Sequence, residues 1–395
     1  MTYKIGVIGL GQRIAHVLAA MREVGWDLEV AAYLDPAPVG ASIMEARGIA
    51  MGRAVSDLPA LIKEGPFDLL MIGTPNHLHY DYLDRTLDLG MPIFAEKPIV
   101  RTEEETDLLA RRLSARGAPP LYVGLVMRSM PIVREVIKRA RAGELGKIVS
   151  IDATEHLHPE HGAYLARNWR RKEEWGGSYL LDKVCHDFDI FNCIIGARPA
   201  KVASFGGRSI FRPERSDTPR TYSDGSLAYS DRDAGWGGAN DAFQSDMDVT
   251  DHQVAIVEYQ SGARLSFHAN SNVALQERRW YVAGTDATLI ADLVRNKLMV
   301  RDTLDKARPE RIDYANRTDD NHNGADQAMA IDLKAALEGK AIFPVTPYES
   351  MEAGLTVMAI DRAQRESTTI DCAPMWARFD AARQSGATTS APSKS

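Results

Sequence analysis

Buried-strand and helix patterns alternate over the first 126 residues, and this alternation restricts the fold more than any other feature of the sequence. Residues 5–8 and 67–72 are apolar enough for strands buried on both faces, residues 28–34 also have a strand pattern, and residues 14–24 have helical spacing. Strands joined by helices run parallel, because the chain must cross back over the sheet before the next strand begins. The pattern predicts a doubly wound parallel sheet in an α/β domain.

The strand pattern changes after residue 126. Residues 147–155, 252–259 and 263–270 alternate between apolar and polar side chains, and Gly262 provides a tight turn between the last two runs. Such alternation is typical of an antiparallel sheet with one covered face. We therefore expect a second, differently built domain.

The second region contains one long insertion and ends in a tail. Residues 213–248 are rich in Ser, Asp, Gly and Arg without a clear period, which predicts a long excursion from the sheet. Residues 384–395 are small and polar, so we expect a disordered tail. The predicted domains are residues 1–126 and 127–383.

Composition excludes several classes of protein. The chain has 395 residues and a net charge of −7, and it lacks the positive field that gathers nucleic acid. Three cysteines, Cys185, Cys193 and Cys372, form no disulfide framework, and no apolar run reaches the length of a membrane span. Because a strand pattern begins at Tyr3, we expect no secretion signal. These features predict a cytoplasmic enzyme that binds neither nucleic acid nor membranes.

A glycine-rich turn, Gly9-Leu10-Gly11-Gln12-Arg13-Ile14, joins the first strand to the first helix. Gly9 permits the turn, and Gly11 lets a pyrophosphate approach the helix N-terminus, although Ile14 replaces the third glycine of the usual motif. Asp35 closes the second strand and follows the glycine turn by roughly the usual 20 residues. A carboxylate at this position binds the adenosine ribose and repels a 2′-phosphate. The turn predicts NAD rather than NADP as cofactor. A plain structural turn, or one that binds a flavin or a methyl donor, is the alternative.

Polar motifs follow two further strands and open one helix. Thr74-Pro75-Asn76-His77-Leu78-His79 and Glu96-Lys97-Pro98 lie at carboxyl ends of parallel strands, where ligands bind in such sheets. Gly176-Gly177-Ser178 precedes a helix that Ser178 can cap. On this helix Asp182 and His186 are four residues apart and share the face opposite an apolar stripe.

Together these motifs resemble the Gfo/Idh/MocA family, over residues 1 to about 370 without residues 213–248. The resemblance implies a Rossmann domain followed by an α/β domain with an open, mostly antiparallel sheet, which commonly forms a dimer or tetramer interface. It also implies a catalytic trio of Lys97, Asp182 and His186. The expected cofactor contacts are Gly9, Gly11, Gln12, Arg13, Ile14, Asp35, Thr74, Asn76, His79, Glu96, Lys97, Trp169 and Arg170.

The trio suits the oxidation of a secondary alcohol, which loses a hydride from carbon and a proton from oxygen. His186 is the natural general base near neutral pH. The ammonium of Lys97 can stabilise developing alkoxide charge, and Asp182 can orient a neighbouring hydroxyl or the imidazole. Each of these residues alone could equally be an ordinary polar or capping group.

The roles of three further parts of the sequence remain open between two alternatives each. Lys183 follows Asp182 directly and is either a second site lysine or part of an ion pair. Trp169-Arg170 resembles a pair near the nicotinamide in some relatives, or is a core tryptophan beside a surface arginine. His322 resembles a histidine that precedes a helix in a related subgroup and could reach substrate, whereas helix capping by Asn323 or Asp326 is the alternative.

A histidine-rich segment, residues 155–161, ends the first long strand of the second domain. His156 and His158 suit a loop that binds a polyhydroxylated ligand. Imidazole and carboxylate are also zinc ligands, but the helical spacing of a metal site is absent, so we predict no metal. The expected substrate contacts are Lys97, His156, His158, Asp182, Lys183, His186 and His322.

These features predict an NAD-dependent oxidoreductase that transfers a hydride between a ring hydroxyl of a sugar, glycoside or cyclitol and the nicotinamide. One alternative is an enzyme that cleaves glycosides through a transient keto-sugar without net redox change, because residues 213–248 could enclose a larger ligand. A non-catalytic NAD-binding sensor is the second alternative. A homodimer or homotetramer through the second sheet is expected.

Overall fold

The computed structural model describes residues 2–115, 117–229, 233–314 and 323–388. Its contacts divide the chain into two compact units. The first contains Met1–Ser129, Gly324–Met351 and Met375–Ser395, and the second contains Met130–Asn323 and Glu352–Pro374. The boundary predicted at residue 126 lies near the first break. The sequence prediction placed residues 324–351 and 375–383 in the second domain, whereas the structure folds them with the first unit.

The first unit is built on a six-stranded parallel sheet. Its strands are β1 (Tyr3–Ile8), β2 (Leu28–Leu34), β3 (Arg53–Ala54), β4 (Leu69–Ile72), β5 (Ile93–Ala95) and β6 (Leu121–Val123). The intervening helices are α1 (Gln12–Glu23), α2 (Ala41–Ala46), α3 (Leu58–Lys63), α4 (His79–Thr86) and α5 (Glu103–Ser114). The strand order β3-β2-β1-β4-β5-β6 reverses direction between β1 and β4, which creates a crevice at their carboxyl ends.

The second unit is built on a nine-stranded sheet in which only β7 and β10 pair in parallel among the described strands. Its strands are β7 (Ile148–His156), β8 (Pro199–Gly207), β9 (His252–Tyr259), β10 (Arg264–Asn270), β11 (Glu277–Gly284), β12 (Ala287–Asp292), β13 (Lys297–Asp302), β14 (Glu310–Asp313) and β15 (Ile370–Asp371). The remaining helices of the chain are α6 (Pro131–Arg141), α7 (Pro159–Arg167), α8 (Glu173–Gly176), α9 (Tyr179–Ile195), α10 (Ala325–Leu337), α11 (Pro347–Glu366) and α12 (Ala373–Thr388). The predicted fold class is therefore confirmed.

The two faces of the second sheet differ in burial because side chains alternate along each strand. Helix α9 covers one face, where Phe191 packs on Trp280 and Phe188 on Phe267, with ring centroids 5.5 and 5.3 Å apart. The opposite face remains open to solvent, and Phe205 there is 77% exposed. The predicted apolar stripe of α9 is thus the face that fixes this helix against the sheet.

The predicted excursion, residues 213–248, lies within the longer connection between β8 and β9. Phe243 packs between Phe211 and Tyr229, with ring centroids 5.5 and 5.0 Å away. The buried carboxylate of Asp251 accepts N–H bonds from Ser209, Ile210 and Phe211, so it ties the two ends of the excursion together. The excursion is therefore a packed segment with its own small aromatic core.

Two further expectations concern the chain end and membranes. Helix α12 continues to Thr388, so residues 384–388 of the predicted tail are helical, and residues 389–395 lie outside the described part of the chain. Within the described residues, no helix is long and apolar enough to span a membrane.

Candidate active site

The glycine turn after β1 packs tightly against the end of β4. Gly9 has a φ of +81°, and a Cβ atom there would lie 2.5 Å from the backbone nitrogen of Thr74. A Cβ atom on Gly73 would lie 2.0 Å from Cγ1 of Ile14. In the usual motif the third glycine allows the helix and the strand to approach each other closely. In this chain Ile14 occupies that position, and Gly73 on the strand side allows the close approach instead.

The N-terminus of α1 fits an anionic cofactor group. Gly11 is the N-cap and makes no side-chain hydrogen bond, and the first turn carries no acidic residue. Among the residues that the structure describes, a Cβ atom on Gly11 would have only the Gly73 oxygen within 4 Å, at 3.9 Å, so the space in front of the helix is open. Nearby, Oγ1 of Thr74 is buried without a hydrogen-bond partner among the described residues. Uncapped N–H groups and an unsatisfied hydroxyl suit a pyrophosphate and its attached nucleotide.

Arg13 and Glu96, both predicted to contact the cofactor, are bonded to each other. Nε of Arg13 lies 3.0 Å from Oε1 of Glu96, and Nη2 lies 2.6 Å from Oδ1 of Asp326 on α10. Asp326, which the sequence offered as a helix cap, instead joins this ion pair. The pairing holds α1 beside the turn that carries Lys97, so it supports the geometry of that turn.

His79 connects two of the predicted motifs. Its Nδ1 lies 2.7 Å from the Pro98 oxygen and its Nε2 lies 2.8 Å from the Thr74 oxygen, and the side chain is buried. Burial lowers the pKa of this imidazole. Since both ring nitrogens face carbonyl oxygens, His79 positions the turn of Asn76 and the turn of Lys97 relative to each other.

In the second unit, the Ser178 side chain caps α9 by accepting a hydrogen bond from the N–H of Leu181 at 2.9 Å, which confirms the predicted cap.

One turn into α9, Oδ2 of the buried Asp182 lies 3.0 Å from Nε of Arg170. The Arg170 guanidinium stacks 4.1 Å above the Trp169 ring. His186 follows on the same helix and is 8% exposed. Arg170, predicted together with Trp169 as a cofactor contact, therefore holds the Asp182 carboxylate, and the Trp169 ring supports the guanidinium.

Lys183 takes part in an ion pair, one of the two alternatives left open by the sequence. Its Nζ lies 3.5 Å from Oε1 of the buried Glu155 and 3.5 Å from Nε2 of His161. The ammonium lowers the pKa of His161 well below its ordinary value. The rings of His158 and His161 lie edge to face with their centroids 6.2 Å apart, and His156 is the last residue of β7.

His322 lies outside the described residues. Among the residues that are described, no group of three or more His, Cys, Asp or Glu side chains is arranged to hold a metal ion.

A buried ion-pair network below α9 was missed from the sequence. Nε of Arg278 lies 3.0 Å from Oδ1 of Asp187 and 3.1 Å from Oε2 of Glu155. Nε1 of Trp280 donates to the same Asp187 oxygen at 3.3 Å. The network links β7, α9 and β11, and it anchors the helix that carries Asp182 and His186.

Asp361 on α11 lies behind the cap of α9. Its carboxyl accepts hydrogen bonds from Ser178 and, at 3.2 Å, from Nε2 of Gln253. Burial raises its pKa to about 7, and the weaker effects of the two hydrogen bonds and of Arg365 oppose this rise.

We expect Asp361 to make stability depend on pH. Between about pH 4 and pH 7 the folded chain holds a proton that the unfolded chain releases, so stability falls as pH rises through this window. Raising the pH from 5 to 8 should cost the wild type about 3 kcal/mol at this site, and Asp361→Asn should remove that dependence. Urea unfolding at both pH values measures it, with the exposed Asp217→Asn as control. Equal pH dependence in Asp361→Asn and wild type would contradict this expectation.

Sequence profiles of one family match both units. The profile described as the oxidoreductase family, NAD-binding Rossmann fold, matches residues 3–125, and the GFO/IDH/MocA C-terminal domain matches residues 133–290. The chain belongs to the Gfo/Idh/MocA family. Its first unit is accordingly the NAD-binding domain of this family, which agrees with the open helix N-terminus at Gly11.

Curated relatives within the Gfo/Idh/MocA family are distant. The inositol 2-dehydrogenase of Rhizobium meliloti (strain 1021) is 30% identical over 207 residues, which cover 52% of this chain and 58% of that protein. The levoglucosan dehydrogenase of Pseudarthrobacter phenanthrenivorans is 25% identical over 315 residues, 77% of each protein. The chain spans between 49% and 58% of the first three curated relatives that it matches.

Solved structures of the family share the fold. A levoglucosan dehydrogenase in complex with NADH and levoglucosan is similar with a TM-score of 0.74 and 21% identity, covering 94% of this chain and 99% of that one. The likeness extends over both units and supports the architecture described above.

Asp35 is expected to select between the two nicotinamide cofactors of this family. It ends β2 half-buried, and its Oδ1 accepts the N–H of Ala37 at 2.7 Å. A carboxylate there repels a 2′-phosphate. Asp35→Ser should therefore lower the ratio of the affinity for NAD to the affinity for NADP by about 10-fold or more. Titration of both cofactors by intrinsic fluorescence measures it, with Asp27→Ser as a control remote from β2's carboxyl end. An unchanged preference would mean that Asp35 does not contact the ribose.

Proposed function

We propose that this protein is an NAD-dependent oxidoreductase that transfers a hydride between a ring hydroxyl of a sugar, glycoside or cyclitol and the nicotinamide. The observation that carries the proposal is the buried Asp182 carboxylate, held by Arg170 one helical turn before His186. The names of the inositol and levoglucosan dehydrogenases support a polyhydroxylated ring as substrate.

The residues that would hold NAD are those whose geometry fits it in the first unit. The open N-terminus of α1 at Gly11 would bind the pyrophosphate, Asp35 the adenosine ribose, and the Thr74 hydroxyl a polar group of the nicotinamide half. NAD, when bound, supplies the hydride acceptor. His79 keeps the turns around Thr74 and Lys97 in place for this binding.

Side chains of the second unit carry out the proton transfer. A ring nitrogen of His186 takes the proton of the reacting hydroxyl, and returns it in the reverse direction. The Asp182 carboxylate accepts a hydrogen bond from the substrate, and Arg170 fixes its orientation so that little reorganisation is needed during reaction. Lys97 supplies an ammonium that stabilises charge on the oxygen as its proton leaves.

An assay of purified protein with excess NAD and a panel of sugars, cyclitols and glycosides tests the proposal. We expect continuous formation of NADH with at least one polyhydroxylated ring. Consumption of a glycoside with release of its aglycone and without NADH would contradict a dehydrogenase and indicate redox-neutral cleavage instead. NAD binding without conversion of any compound would favour a sensor.

We also propose that the exposed sheet face mediates homo-oligomer formation. Ile256 on β9 and Tyr281 on β11 point to the same face as Phe205, and are 59% and 38% exposed. Apolar side chains that large on an open sheet are typical of a subunit interface. Phe205→Asp combined with Ile256→Arg should therefore shift the chain to a monomer in light scattering after size-exclusion chromatography. Leu304→Asp, a change at a 92% exposed loop residue, is the control.

A further inference from the structure

A small pocket lies beside the Asp182–Arg170 ion pair, entirely within the second unit. Its apolar wall is formed by Leu165, Met247 and Val249. Met247 and Val249 come from the end of the excursion that precedes β9, so this insertion closes one side of the pocket. A mostly apolar cavity with a few polar groups is typical of a site that orients part of a small molecule.

Most polar groups of the pocket are already bonded within the protein. Asp182 and Arg170 bind each other, and the Ser271 hydroxyl donates to the Asp251 backbone oxygen at 2.7 Å. The exception is Tyr179, the first residue of α9. It is 5% exposed, and its hydroxyl is buried without a hydrogen-bond partner among the described residues.

An unsatisfied buried hydroxyl is rare because it has lost its hydrogen bonds to water without replacement. Burial, reinforced by the charges of Glu155 and Asp251, raises the pKa of Tyr179 well above its ordinary value, so the group stays a hydrogen-bond donor. Tyr259 offers a contrast in the same unit. It is equally buried, but its hydroxyl lies 3.1 Å from Oδ1 of Asn192.

We propose that this pocket is a subsite for one neutral hydroxyl group of the substrate ring, and that Tyr179 donates a hydrogen bond to its oxygen. The subsite rests on the proposed function, because the hydroxyl belongs to the polyhydroxylated ring whose neighbouring group Asp182 binds. The wall formed by Leu165, Met247 and Val249 disfavours a charged group such as a carboxylate or phosphate at this position of the ring. Tyr179 is thus a specificity-determining residue of this chain.

Binding measurements test the subsite without requiring turnover. The probes are glucose, myo-inositol and their monodeoxy derivatives, measured by calorimetry on the protein saturated with NADH, which cannot accept a hydride; conversion is assayed separately with NAD. Wild type should bind one parent compound about 10-fold or more tightly than the derivative that lacks the hydroxyl held by Tyr179. Tyr179→Phe, which removes one oxygen atom, should reduce this ratio to near one. Tyr259→Phe, the matched control, should keep the wild-type ratio.

The outcomes separate the subsite from the proposed function. Equal ratios of parent to deoxy affinity in Tyr179→Phe and wild type for every probe would overturn the subsite. The pocket would then be assigned to a buried water molecule. Absence of binding of all probes to wild type would likewise overturn the subsite. Binding with the expected ratios but no conversion of the bound compound would contradict the proposed oxidoreductase and support the subsite.

Discussion

His186→Ala is expected to lower kcat/KM for the substrate about 10²–10⁴-fold while the affinity for NAD stays unchanged. The imidazole is the proposed proton acceptor, and alanine leaves the reacting hydroxyl without a base. The side chain is on α9 in the second unit, whereas the glycine turn proposed to bind the pyrophosphate is in the first, so we expect the affinity for NAD to be retained. Initial rates of NADH formation and fluorescence titration of NAD measure the two quantities separately.

His16→Ala provides the control for this experiment. His16 is exposed on α1, and its removal should change kcat/KM by less than about 2-fold, since it lies outside the proposed machinery. Activity of His186→Ala within a few-fold of wild type would rule out His186 as the base. A large loss of NAD affinity in His186→Ala would indicate a general disturbance of the fold.

Arg278→Met is expected to destabilise the second unit by about 3–5 kcal/mol. The substitution conserves much of the side-chain length but removes the cation bound by Asp187, which is 0% exposed, and leaves Glu155, which is 3% exposed, paired with the ammonium of Lys183. Uncompensated charge in such an environment is strongly unfavourable. Because Asp187 lies on α9, activity should fall together with stability. Guanidinium unfolding followed by circular dichroism measures the loss.

Two comparisons make this result specific. Arg295→Met removes an arginine whose side chain is 59% exposed and pairs with Asp292, and should cost less than about 1 kcal/mol. Adding Asp187→Asn to Arg278→Met should recover part of the stability, because the buried charge that lost its cation is then gone. A loss below about 1 kcal/mol for Arg278→Met alone would mean that the network is not a determinant of stability.

The features that the sequence predicted depend on residues close together in the chain. The glycine turn at Gly9, the Ser178 cap and the alternation of strands and helices are local, and the structure contains each of them. The family resemblance carried by the motifs is confirmed by the profile matches to both units.

The features that sequence reasoning missed depend on distant partners. Arg13 pairs with Glu96 and Asp326, which are 83 and 313 residues away, and Arg278 pairs with Asp187 at a separation of 91. A charged residue in the sequence does not indicate which opposite charge it will meet. For the same reason, the position of His79 at a strand end suggested a cofactor contact, whereas only its surroundings place both ring nitrogens on carbonyl oxygens.

The contact between Ile14 and Gly73 bears on how the dinucleotide motif is searched for in other chains. The helix and the strand need one small residue between them, and the present chain shows that either partner can supply it. A search pattern that demands glycine on the helix rejects this chain, although the helix N-terminus at Gly11 is open to a phosphate. The two positions therefore act as a complementary pair, and family members with a bulkier residue after β4 are expected to carry the small residue at the helix position.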